Sequence, residues 1–98
     1  SAPITKKIEI LGRPFTLRSA TSEQLLENVI YLVQEKIQET RKALPKATSE
    51  DVAILTALNL AFDYLELKED FHHLQREIEV KSKNLIQLLE TKGTLPLR

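Results

Sequence analysis

Residues 53–89 read AILTALNLAFDYLELKEDFHHLQREIEVKSKNLIQLL. Taking every third or fourth residue gives Ala53, Ala57, Leu60, Tyr64, Leu67, Phe71, Leu74, Ile78, Lys81, Leu85 and Leu88, with no Pro or Gly in the whole stretch. This alternation of four and three is the a/d seam of a coiled coil, interrupted once by Lys81. A helix from about Ser49 to Glu90 would be roughly 60 Å long, whereas a compact chain of about 100 residues has a radius of gyration of only about 13 Å. Such a helix must run beyond any globule the chain can build. Past Phe71 no other segment is left to cover it, and roughly five large apolar side chains, at about 1.5 to 3 kcal/mol each, would stay wet. That deficit rivals the stability of a whole domain, so the tail is expected to be buried against other copies of itself.

The two halves of this helix are patterned differently. Between Val52 and Leu67 a second apolar set, Ile54, Leu55, Leu58, Ala61, Phe62 and Leu65, lies outside the seam, which predicts a helix sandwiched between neighbours. From Lys68 to Glu79 the positions outside the seam become charged or polar, so a single-seam helix with a wet outer face is expected there. Val80, Ile86 and Leu89 widen the stripe again, which points to more than two helices meeting at the tail tips. The flanking charges leave strand direction open. Only Asp63 with Lys68 of a parallel partner is clearly complementary.

Composition bounds the rest. The 98 residues are one domain's worth, 42% hydrophobic and 29% charged, with a formal net charge of zero. That balance gives no electrostatic reason to expect nucleic acid or an anionic membrane as partner. No run of 18 apolar residues exists, so no membrane span is expected. Ser1-Ala2-Pro3 has the features of neither a signal peptide nor an initiating Met, and reads as a trimmed start. Absence of Cys removes disulfides, thiolate chemistry and most structural zinc sites, and fits a cytoplasmic setting.

Ile4 to Arg18 reads as a β-hairpin, with Ile8 and Ile10 alternating with Lys7 and Glu9, and Phe15 and Leu17 with Thr16 and Arg18. Centring the turn on Gly12-Arg13 places Ile10 opposite Phe15 and Ile8 opposite Leu17, all on one face that a helix must cover. Pro14 would then have to donate the closing hydrogen bond, which it cannot, so a slightly wider turn is expected. Thr21-Ser22-Glu23-Gln24 has the form of a capping box with Thr21 as N-cap and Gln24 reaching back. A first helix to about Lys42 or Ala43 should follow, with Leu25, Leu26, Val29, Ile30, Leu32, Val33 and Ile37 as its apolar stripe. Leu44-Pro45-Lys46-Ala47 breaks it. Thr48 then caps the long helix, Glu50 and Asp51 sit in its first turn, and Gly93 with Pro96 mark its stop.

The expected fold is therefore α+β, a small head of a β-hairpin plus one helix packed on the start of a long C-terminal coiled-coil helix. The head spans 1–67, made of a hairpin over 4–18, a helix over 22–43 and the start of the long helix over 49–67. An oligomerisation tail follows over 68–90, then a frayed 91–98. The oligomer seam consists of Leu60, Tyr64, Leu67, Phe71, Leu74, Ile78, Leu85 and Leu88.

The hairpin I-E-I-L-G-R-P-F-T-L, a helix rich in Glu, Gln and Lys, and a threonine-capped helix containing T-A-L-N-L-A-F-D-Y-L together resemble the ZapA family of bacterial cell-division proteins. The matching residues are Ile8, Ile10, Gly12 and Arg13, then Ala57, Leu58 and Asn59, and the similarity runs from about Ile4 to Glu90. The resemblance implies a protein that binds the tubulin-like GTPase FtsZ and bundles its filaments at the mid-cell division ring. It also implies a dimer through head and coil, and two dimers joined by antiparallel packing of the tails into a dumbbell-shaped tetramer. By the same resemblance the FtsZ-binding surface falls on Arg41, Lys42, Lys46 and Glu50, with Lys46 supplying the basic charge because Pro45 stands where relatives often carry one. The plainer alternative is that these four charges only solvate a helix-helix corner.

No constellation in the chain carries enzyme chemistry, and no cofactor or metal is expected. Adjacent His72 and His73 point about 100° apart on a helix and cannot chelate from one face. Glu50-Asp51 and Glu69-Asp70 read as dipole and surface features, and Gly12 as a turn glycine without a phosphate loop. Against the filament crosslinker stands a generic coiled-coil scaffold whose head binds some other protein.

Overall fold

The computed structural model describes residues 3–91. Its elements are β1 (Ile4–Ile10), β2 (Arg13–Ser19), α1 (Glu23–Ala43) and α2 (Ser49–Thr91). Compactness divides the chain inside α2, into one unit that ends at Ala61 and another that begins at Phe62.

β1 and β2 form a two-stranded antiparallel sheet in which Ile10 faces Arg13, Ile8 faces Phe15 and Lys6 faces Leu17. The turn is neither wider than two residues nor centred on Gly12-Arg13. It occupies Leu11 and Gly12, both at positive φ, 54° and 76°, the conformation of a type I′ hairpin turn. Moving the turn by one residue resolves the difficulty with Pro14. In a two-residue hairpin the flanking pair, Ile10 and Arg13, exchanges hydrogen bonds, and the next pair, Glu9 and Pro14, does not. The missing N–H of Pro14 therefore lies on the outer edge, where no partner strand needs it. A register shift of two residues keeps every side chain on its face, so Ile8, Ile10, Phe15 and Leu17 still share one. Along β1 the even-numbered residues are half-buried and the odd-numbered ones exposed.

The cap of α1 also differs from expectation. Ser22, in extended conformation at φ −64° and ψ 151°, is the N-cap, its Oγ accepting from the Leu25 N–H at 3.1 Å. Thr21 is instead held to the end of β2, its hydroxyl 2.8 Å from Ser19 Oγ and its N–H donating to the same oxygen at 3.1 Å. With the cap moved one residue on, Gln24 has no reason to reach back, and its amide donates to Asn28 Oδ1 at 3.0 Å. Either hydroxyl could have capped the helix; the competing bond from Ser19 decides between them.

At the far end of α1 the Leu44 N–H closes on Thr40 O at 2.9 Å, and the Ala47 N–H on Leu44 O at 3.1 Å, which folds a turn across Pro45 and Lys46. Leu44 lies outside the helical region, as a residue before proline should. Thr48 caps α2 as the sequence leads one to expect, its Oγ1 accepting from the Asp51 N–H at 3.1 Å. Thr91 is still helical. Gly93, Pro96 and the rest of the expected frayed end, 92–98, lie outside the described residues.

The unit ending at Ala61 is built around Leu26 and Ile37 from α1 and Val52 from α2, the last only 1% exposed. Two threonines share this core: Thr56 Oγ1 donates to Thr40 Oγ1 at 3.4 Å, and Thr40 Oγ1 to Lys36 O at 2.9 Å. The hairpin is tied to α1 by an ion pair between Lys6 and Glu27 at 2.7 Å. A second tie runs from Gln34 Nε2 to Glu9 O at 3.3 Å. Glu9 belongs to a pair that does not hydrogen-bond across the hairpin, so its carbonyl points outward and Gln34 supplies the donor it lacks. Within this unit α2 is covered on one side only. Val52 and Thr56 are buried, while Ile54 and Leu58 are more than half exposed.

In the unit that begins at Phe62, every described residue up to Leu88 is exposed. The large apolar side chains are no exception: Leu67 is 69% exposed, Phe71 57% and Leu85 58%.

Candidate functional site

Two surfaces compete for a functional role, one in each unit. The first is the corner between α1 and α2. Arg41 and Lys42 occupy the last turn of α1, where the helix dipole favours cations, and Glu50 the first turn of α2, where it favours carboxylates. Lys46 stands in the connecting turn, and all four of these expected contact residues are exposed.

They do not share one cavity. Arg41 lines a cleft of about 630 Å³ beside the hairpin turn, with Leu11, Gly12, Tyr31, Gln34 and Gln38. Lys46 lines another of about 600 Å³ over Leu44, Pro45 and Leu55. Glu50 lies on a third, about 610 Å³, against Leu11, Arg13, Phe15 and Ala53. Lys42 lines none of the three. The corner is thus a set of separate open clefts in which exposed charges stand beside apolar side chains.

Three residues that the sequence did not single out for this corner complete it. Leu11 lines two of the clefts from a left-handed backbone position. Arg13 sets its guanidinium 5.8 Å from the centre of the Phe15 ring, a cation–π arrangement that holds the cation beside an apolar wall. Tyr31 hydrogen-bonds Glu35 one turn on, and that bond, then the nearby carboxylate charge, pushes the phenol above its ordinary pKa of 10.0. The i, i+4 spacing of Tyr31 and Glu35 was the only available signal for that pair.

The second surface is the seam of α2. Tyr64, Leu67, Phe71, Leu74, Ile78, Leu85 and Leu88 are all exposed, and Leu60 is half-buried. Lys68 Nζ sits 6.0 Å from the Tyr64 ring centre, one turn away. His72 meets the Phe71 ring edge-on at 6.2 Å. Among the described residues no group of three or more His, Cys, Asp or Glu side chains is placed to hold a metal. No helix among them is long and apolar enough to cross a membrane.

The family model described as "Cell division protein ZapA" matches residues 7–92. The cell division protein ZapA of Bacillus pumilus is 33% identical over 76 residues, covering 78% of this chain and 87% of its own. That of Oceanobacillus iheyensis is 34% identical over 74 residues, covering 76% and 86%. Among solved structures, a ZapA mutant dimer from Geobacillus stearothermophilus aligns with a TM-score of 0.61 at 26% identity, over 81% of this chain and 92% of that one.

Proposed function

Because the chain belongs to the ZapA family of cell division proteins, we propose that it is a non-enzymatic crosslinker of FtsZ filaments, acting in the cytoplasm at the mid-cell division ring. The observation that carries this reading is the seam of α2, whose apolar side chains from Tyr64 to Leu88 are exposed in the single chain. An amphipathic helix with nothing on its apolar edge is stable in water only when that edge meets another. A heptad repeat is complementary to itself, so the natural occupant is a second copy. The widened stripe at Val80, Ile86 and Leu89 supports four helices at the tail and hence a tetramer.

The head contributes the filament contacts, through Arg41, Lys42, Lys46 and Glu50. Each contact can be weak. An assembly that carries several heads gains effective concentration once one of them is bound, and so holds two filaments together without any single tight site.

The direct test is pelleting of purified FtsZ under GTP with and without this protein. More sedimented polymer is expected in its presence, and the gain should fall when Arg41 and Lys42 are both replaced by Ala. Equal sedimentation with and without the protein would leave a coiled-coil scaffold for some other partner.

A further inference from the structure

Within the tail, one residue interrupts an otherwise apolar edge. Lys81 occupies a d position of the seam between Ile78 and Leu85, and the polar run Lys81-Ser82-Lys83-Asn84 separates two apolar patches. One patch holds Phe71, Leu74 and Ile78; the other holds Leu85, Ile86 and Leu88, and every one of these side chains is about half exposed or more. The occupant argued for this edge is a second copy of the chain, on the self-complementarity of the heptad and on its continuity with a family that includes a solved dimer aligned over 81% of this chain.

We propose that Lys81 sets the strength of tail-to-tail association and keeps it reversible. The inference rests on reading the tail as a self-association surface. Among the described residues Lys81 makes no ion pair, and Glu77, one turn earlier on the same helix, is not bonded to it. When tails meet, its ammonium has two options. It can lose water inside the seam, or it can stretch its methylene stem to the solvent and leave unfilled the space that a Leu would occupy. Both weaken the contact relative to an unbroken seam, which is the known effect of a lone polar residue at a core heptad position. Several such ammoniums brought towards one another also repel, and salt screens that repulsion. The tail contact is therefore graded: strong enough to form, weak enough to be exchanged while filaments are remodelled.

The test is sedimentation equilibrium of the full chain against concentration, for the wild type, Lys81→Leu, Lys81→Gln and Ile78→Lys. Lys81 is exposed in the single chain, so its replacement leaves the protomer fold intact, which far-ultraviolet circular dichroism verifies. Lys81→Leu is expected to tighten the tail-dependent step roughly 10- to 100-fold, with Lys81→Gln between it and the wild type. Raising NaCl should tighten the wild type and leave Lys81→Leu unmoved. An unchanged or weakened association in Lys81→Leu, or a wild type loosened by salt, overturns the proposal, because the ammonium would then be held by a carboxylate of the other copy. Ile78→Lys separates the two levels of the argument. If it lowers the mass while Lys81→Leu changes nothing, only the role of Lys81 falls; if it too leaves the mass unchanged, the tail is not a self-association surface at all.

Discussion

The same helix lives in two environments. In the unit that ends at Ala61, α2 places Val52 and Thr56 in a core shared with Leu26, Ile37 and Thr40 of α1. In the unit that begins at Phe62 it has an equally apolar edge, and none of its large side chains down to Leu88 is covered. Apolar content is thus a poor guide to what a helix segment does within its own chain. The useful signal is whether the chain still has segments left to cover it. Where α1 is available the apolar stripe becomes core, and where none remains it stays exposed.

The sharpest way to break this contrast is to charge the uncovered edge. Ile78→Lys should leave the head folded and lower the solution mass from tetramer to dimer at micromolar concentration, with bundling of FtsZ lost alongside. An unchanged mass would show that the edge is not an interface.

A second substitution probes the covered side. Thr40→Val removes the acceptor of the buried Thr56 hydroxyl and should destabilise the fold by about 1 to 3 kcal/mol in urea denaturation. The double variant Thr40→Val with Thr56→Val should recover most of that loss, since no orphaned hydroxyl then remains. Equal losses in the single and double variants would mean that the pair acts through packing alone.

The cap comes next in size. Ser22→Ala should cost about 1 kcal/mol, whereas Thr21→Ala should stay within about 0.5 kcal/mol; the reverse order would return the cap to Thr21.

The smallest effect is electrostatic and belongs to the exposed face of α1. The folded Tyr31 phenol has its pKa raised above 10.0 by Glu35, so the protonated form is favoured by folding. Its contribution is complete at pH values below about 10 and disappears as pH rises through the folded-state pKa. Ultraviolet titration should show Tyr31 ionising late, and Glu35→Gln should bring it back towards the ordinary range.

Most of the architecture was written in periodicity. The 4-3 spacing from Ala53 to Leu88 and the alternation in Ile8, Ile10, Phe15 and Leu17 locate the long helix and the hairpin without further help. Two local details escaped because competing residues stood side by side. Leu11 is not a residue that prefers positive φ, so the sequence favours a turn one position later, on Gly12-Arg13. Thr21 and Ser22 are both competent caps, and only the bond to Ser19, a tertiary detail, distinguishes them. The candidate corner is legible in the sequence as charges but not as shape. Arg41 and Leu11 are 30 residues apart in sequence, and no local pattern could reveal that they border the same cleft. Tyr31 was hidden within an apolar stretch and declared itself only through Glu35.

Pro14 has an effect on the company this protein can keep. A two-stranded sheet offers bare main-chain groups to any passing polypeptide, the usual first step towards uncontrolled fibre growth. By withholding a donor on the open flank of β2, with Arg18 further along the same strand, the hairpin discourages backbone zippering there. Recognition on that flank is left to side chains, and the hairpin is kept from seeding a fibre by accident.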